Sequence, residues 1–147
     1  MPRRANKEYH SMKNTKIQRC LMYRRVGTSD QPAAGSSLDV QSEALVRFAA
    51  SIDARLVLDF VEVVSGAGGT RGHRVEQERM LDAVGPGDIV AVTRLDRISR
   101  DLASASRNVA RILDKGARFM SIDEGEFDRS PAGRLKLSIL TCFARKG

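Results

Sequence analysis

The stretch TRLDRISR, residues 93–100, sets Arg94, Arg97 and Arg100 three residues apart, directly after the apolar run IVAV. Guanidinium groups are permanently charged, planar and matched to phosphate oxygens. Gathered at a strand end beside a helix start, they form an anion site. If a helix begins within this stretch, Arg97 and Arg100 share one of its faces. Asp96 can orient one of them. From the spacing alone, a solvated basic loop with one Asp–Arg pair is the plainer reading. Two further arginines shift the balance. Arg25 closes the run CLMYRR, and Arg74 follows the glycine-rich SGAGGTRGH. Three strand ends then offer arginine toward one edge of a sheet. Phosphoryl transfer needs such charge around the equatorial oxygens, with a nucleophile held in line. A neighbouring arginine also favours ionisation of a hydroxyl.

The elements that must position these residues alternate. CLMYRR (20–25), RLVLDFVEV (55–63), DIVAVTRL (88–95) and ARFMSI (117–122) read as strands. Between them, SLDVQSEALVRFAASI (37–52) puts Leu38, Gln41, Ala44, Leu45, Phe48 and Ala49 on one helical face, with Ser37 as N-cap. RVEQERMLDAV (74–84) predicts a helix stopped by GPG. DLASASRNVARILDKG (101–116) predicts another, ended by Lys115-Gly116. SPAGRLKLSILTCFARKG (130–147) starts the last, with Ser130 as cap and Pro131 in first position. The expected fold is a three-layer α/β domain, with a mostly parallel sheet of four to five strands and helices on both faces. In such a sheet, functional groups collect at the C-terminal strand ends.

Bulk properties narrow the classes. A chain of 147 residues is one domain long, and without Trp its core must be aliphatic. No run approaches the roughly 18–20 apolar residues of a membrane span, and the basic N-terminus lacks the apolar segment of a secretory signal. Cys20 and Cys142 match no metal spacing and read as two buried, reduced thiols of a cytoplasmic protein. The net charge is +7, yet residues 1–19 hold six basic residues against one acidic. That segment reads as a basic disordered extension. The folded body is close to neutral, so its affinity for a polyanion rests on particular arginines. SGAGGTRGH has neither Walker nor GxGxxG spacing and reads as a mobile loop. His10 and His73 stand alone, DEGEFD (123–128) reads as an exposed acidic turn, and no metal or cofactor site is expected.

Six segments, YRRVGTSDQ, SLDVQSEAL, SGAGGTRGHR, GDIVAVTRLDRISRD, GARFMSIDE and SPAGRLKLSIL, follow one another as in the serine recombinase catalytic domain, the resolvase/invertase family. The resemblance covers roughly residues 20–144. It implies site-specific DNA cleavage, strand exchange and rejoining through a 5′-phosphoserine link, without metal or nucleotide cofactor, by dimers that pair as tetramers. By position, Arg25 resembles the family arginine two residues before the nucleophile. Arg97 and Arg100 resemble the pair on the scissile phosphate, with Asp96 beside them. Gln31 and Gln41 resemble the two glutamines near the site. The arginine after the mobile loop is Arg74 counted back from GPGD and Arg71 counted forward from SG; Arg74 is favoured because it opens the helix.

Two departures qualify the resemblance. The nucleophile position, serine in the family's RVST, is Gly27 in RVGT. Thr28 and Ser29 are the nearest hydroxyls, and Ser29, the substitute considered, is displaced by two residues. The second departure is at the C-terminus, where ARKG ends the chain within the last helix and replaces an acidic continuation. The expectation is a catalytic domain cut short in that helix, with no DNA-binding domain and a monomeric state. Met1 and Met22 both remain open as the start. The function expected is that of a catalytically impaired recombinase remnant. The alternatives are a non-catalytic DNA-phosphate-binding or regulatory partner of intact recombinases, and an unrelated α/β phosphate-binding module.

Overall fold

Burial on both faces explains why the central strands carry unbroken apolar runs. In β1 (Gln18–Gly27), Cys20, Leu21, Met22 and Tyr23 are all buried, and every residue of β3 (Ile89–Val92) is fully buried. The computed structural model describes residues 17–27, 37–64, 74–99 and 101–146. After β1 come α1 (Leu38–Ser51), β2 (Ala54–Val64), α2 (Val75–Ala83), β3, a single 3-10 turn (Leu95–Arg97), α3 (Leu102–Asp114), β4 (Arg118–Ser121), β5 (Gly125–Phe127) and α4 (Pro131–Lys146). The sheet order is β2-β1-β3-β4-β5, parallel except for β5.

Alternation along the strands divides the core in two. Leu21, Tyr23, Val90, Val92 and Phe119 face α2, α3 and α4, whose Met80, Leu81, Val109 and Ile112 close over them. Cys20, Met22, Ile89, Ala91 and Met120 face α1, meeting Leu45 and Ala49. The three layers are therefore unequal, with three helices on one face and one on the other. From β1 the chain passes outward to β2, then returns past β1 to β3. The crevice beyond the C-terminal ends of β1 and β3 is thus where the winding direction reverses, the place where such sheets bind ligands.

The edge strand β2 contains one extra residue. Cys20 lies opposite Leu56, but Leu21 lies opposite Leu58, which leaves Val57 as a bulge. A one-residue offset exchanges the faces of a strand. Before the bulge, Ala54 and Leu56 pack on the α1 side; after it, Phe60 joins the core on the α2–α3 side, and Glu62 shares that phase.

Several expectations need correction. β1 begins at Gln18, inside the segment read as an extension. β3 ends at Val92 rather than Leu95, because the chain bends at Thr93–Arg94 into the 3-10 turn. The helix expected over 101–116 forms from Leu102, with the Asp101 carboxylate accepting from the Ala103 N–H, so the condition under which Arg97 would share a helical face is not met. DEGEFD is no exposed turn: it contains β5, whose Phe127 stacks on Phe119 at 5.7 Å. Cys20 is buried but Cys142 is exposed. The caps at Ser37 and Ser130 form as expected, accepting from Val40 and Gly133 N–H. A Cβ at Gly133 would collide with the Asp128 backbone, which accounts for glycine in PAGR.

Deleting Val57 would join Leu56 to Leu58 in regular alternation and leave Phe60 and Glu62 on the face they occupy. The deletion protein should therefore keep a cooperative urea transition, and Val57→Thr, which keeps the length at this half-exposed site, should shift stability by no more than about 0.5 kcal/mol. Loss of the cooperative transition in the deletion protein would show that Val57 is not simply looped out of the register.

Candidate functional site

Arg25 stands at the reversal point, near the end of β1, and only 3% of it is exposed. Its Nε donates to the Arg97 carbonyl at 3.0 Å and its Nη2 to the Asp96 carbonyl at 2.6 Å. Arg97 replies: its Nη1 donates to the Arg25 carbonyl at 3.2 Å. Gln41, fully buried on α1, completes the ring. Its Oε1 accepts from the Arg25 N–H at 3.2 Å, and its Nε2 donates to the Arg25 carbonyl at 3.0 Å. One residue of β1 is thereby tied to the opposite helical layer and to the turn after β3. The carbonyls orient the Arg25 guanidinium but carry no formal charge.

Asp96 contributes less. Its carboxylate is half-exposed, accepts from Arg94 Nη2 at 2.9 Å, and stands 3.8 Å from Arg97 Nε without a hydrogen bond. An exposed pair of this kind contributes at most about 1 kcal/mol. Arg97 Nε is buried with no hydrogen-bond partner among the described residues, and so is Arg74 Nη1. A buried guanidinium nitrogen without an acceptor costs free energy that an incoming phosphate oxygen would recover.

Arg74 reaches this region from the N-cap of α2, whose first turn is held by a residue that sequence reasoning missed. Glu62, 6% exposed, accepts from the Tyr23 hydroxyl at 3.2 Å, the Gln77 N–H at 3.1 Å and the Glu76 N–H at 3.4 Å. Burial, reinforced by the Glu62 charge, pushes the Tyr23 hydroxyl well above its usual pKa; Arg74 and Arg25 pull the other way, which places both guanidiniums in the electrostatic neighbourhood of that oxygen. Gln77 carries the network onward, donating to the Ile98 carbonyl at 2.8 Å and accepting from Asn108. The signal for Glu62 was a lone carboxylate in the apolar run FVEVV, but its face depends on the Val57 bulge, which no periodicity announces. Glu124 was also missed. Its Oε1 accepts from the Leu95 N–H at 2.7 Å and the Ser121 hydroxyl at 2.5 Å, bracing the turn that carries Asp96 and Arg97.

The structure therefore gathers Arg25, Gln41, Asp96 and Arg97 in direct contact, while Arg74 stands at the N-cap of α2, in the electrostatic surroundings of the Tyr23 hydroxyl. Gly27 ends β1, buried, and by alternation shares the face of Tyr23 and Arg25. Thr28, Ser29, Gln31, Arg71 and Arg100 lie outside the described residues. Among the described residues there is no acidic, histidine or cysteine cluster able to hold a metal, and no helix is long and apolar enough to cross a membrane.

The family model described as "Resolvase, N terminal domain" matches residues 20–146. The chain belongs to the resolvase family. A resolvase/recombinase of Pseudomonas putida is 34% identical over 124 residues, 84% of this chain and 61% of that protein. A resolvase of Clostridium perfringens is 32% identical over 122 residues, covering 83% and 58%. The chain thus spans about three-fifths of the length of these curated relatives. The N-terminal catalytic domain of TP901-1 integrase shares the fold, with a TM-score of 0.66 at 23% identity over 88% of this chain and 95% of that one. Family membership removes the reading as an unrelated phosphate-binding module. It also gives the bonds around Arg25 a context: they tie together segments that identify the resolvase domain in sequence.

Burial raises the pKa of the Cys20 thiol on β1 to about 11, and Tyr23 is raised above its usual 10. Both groups hold their protons more tightly folded than unfolded. Their contribution is fully present below about pH 9 and falls as the pH rises above the unfolded-state values. The urea midpoint should drop between pH 9 and 11, and a Cys20→Ala, Tyr23→Phe double variant should show a flatter profile. Equal slopes for the two proteins would refute the assignment.

Proposed function

We propose that this chain is the catalytic-domain portion of a serine recombinase that binds DNA phosphate but is impaired in cleavage. The observation that carries the reading is the buried arginine cluster at the reversal point, with Arg97 Nε and Arg74 Nη1 lacking acceptors, on the strand that ends in Gly27. In this reading Arg25, Arg74, Arg97 and Arg100 surround the scissile phosphate and stabilise the charge that builds on its equatorial oxygens. Asp96 orients the turn, and Gln41 and Gln31 hold the strand end and its loop. A hydroxyl at position 27 would attack phosphorus, form the 5′-phosphoserine bond and release the 3′ oxygen, while Arg25 favours loss of its proton. Gly27 supplies no such oxygen. Ser29 is two residues along, about 6–7 Å in extended chain, whereas a misplacement of about 1 Å can cost a hundredfold in rate. DNA is the partner, the cytoplasm the compartment, and no cofactor takes part.

One observation favours a second role, as a non-catalytic partner of intact recombinases. Leu135 and Ile139 of α4 are exposed and line an apolar groove with Ala132 and Leu140. Such a face suits association with another subunit, in place of the monomer expected from the sequence.

The test combines binding with adduct trapping. Labelled duplex fragments of the source genome should bind with an affinity that falls steeply as salt rises. Arg97→Ala should weaken binding about tenfold and lower the salt slope by about one. No covalent protein–DNA adduct should survive denaturation, whereas Gly27→Ser should give one. An adduct at Ser29 or Thr28 in the unaltered chain would overturn the impaired reading. Pairing with an intact recombinase that persists at high salt, without DNA binding of its own, would favour the partner role.

A further inference from the structure

α2 has nine residues, and so short a helix depends on how its first turn is held. Its N-cap residue, Arg74, gives no side-chain capping bond. The first-turn N–H groups of Glu76 and Gln77 go instead to Glu62, on a different element. A carboxylate at a helix N-terminus is favoured by both the free N–H groups and the helix dipole. Glu62 is otherwise an expensive residue, being buried and charged, and its three acceptor bonds are what make the position tolerable. The bulge at Val57 is what brings it there.

We infer that Glu62 is the positioning residue for Arg74: by capping α2 from β2, it fixes the backbone from which Arg74 reaches the phosphate. This rests on the DNA-phosphate reading of the site. Arg74 has a buried Nη1 without an acceptor and lies with Glu62 in the surroundings of the Tyr23 hydroxyl. The same first turn is joined to the Arg97 segment, because the Gln77 side chain donates to the Ile98 carbonyl. Glu62 thus acts on Arg74 through the backbone of α2 and touches no DNA. Without it the first turn opens, and Arg74 keeps its charge but loses its aim.

A double-mutant cycle tests this with labelled duplex DNA at fixed salt. Arg74→Ala should weaken binding about tenfold, the effect of losing one phosphate contact, and lower the salt slope by about one. Glu62→Ala should do the same, and the double variant should bind no more weakly than Arg74→Ala alone. Glu62→Gln, which keeps the shape and an acceptor oxygen, should recover most of the loss and serves if the alanine variant does not fold. Amide exchange at Glu76 and Gln77 should quicken in Glu62→Ala while the centre of α3 stays protected. Equal weakening by Glu62→Ala in the presence and absence of Arg74, or unchanged exchange at the two amides, would overturn the inference. If the unaltered chain does not bind DNA, the phosphate reading falls on its own. The exchange measurement then decides whether Glu62 holds the turn.

Discussion

The Arg25–Arg97 exchange is the constraint on which the rest of the molecule depends. Each residue donates a guanidinium N–H to a main-chain carbonyl of the other, and Gln41 adds two bonds to the same peptide groups. At the end of β1, β2 still pairs on one side, but no strand lies on the other. Here β3 has already turned away at Thr93, so Arg25 needs other partners for its N–H and carbonyl. Side chains from the opposite layer and from the 3-10 turn supply them. The bonds that satisfy the strand end are therefore the ones that build the site. Removing one member leaves a buried polar group or charge without a partner, at a cost of about 3–5 kcal/mol for a charge.

A second network stands behind the first. Tyr23, Glu62, Gln77 and Asn108 connect four elements, and Gln77 ends on the carbonyl next to Arg97. The two networks share a wall of the core, since Tyr23 and Arg25 lie on one face of β1. The apolar core, with Tyr23, Phe119 and Phe127 among its largest buried side chains, places the elements to within a side chain. The polar bonds then select one rotamer and one turn geometry for each arginine. Both networks are mostly side chain to backbone, which fixes the chain as well as the side chains.

Most of the fold was legible because its signals are local. Unbroken apolar runs marked β1 and β3, the 3.6-residue pattern marked α1 with Gln41 on its inner face, and Ser37, Ser130 and Gly116 marked helix ends. What failed was non-local. The strand DIVAVTRL looked continuous, but Thr93–Arg94 bend because Glu124, nearly thirty residues on, takes the Leu95 N–H. The spacing left open whether Arg97 lies on a helix; it closes a 3-10 turn, and its carbonyl is claimed by Arg25, seventy-two residues away. Glu62 looked like one strand carboxylate among others, since a bulge in an edge strand leaves no trace in composition. The arginines, Gln41 and Asp96 were legible through the family resemblance; that Arg25 and Arg97 hold each other was not.

The position of Gly27 shows why the family can be plain while the chemistry is in question. The bonds described around the site use the side chains of Tyr23, Arg25, Gln41, Glu62, Gln77 and Arg97, and none of them requires an oxygen on residue 27. The scaffold that holds the arginines is thus independent of any side-chain oxygen at residue 27. A serine-to-glycine exchange there removes no partner from either network and leaves the core untouched. At a strand end, glycine adds some backbone freedom, worth roughly 0.5–1 kcal/mol, which is small beside the bonds holding Arg25. Stability therefore exerts little pressure to keep a hydroxyl at residue 27; only the proposed reaction would.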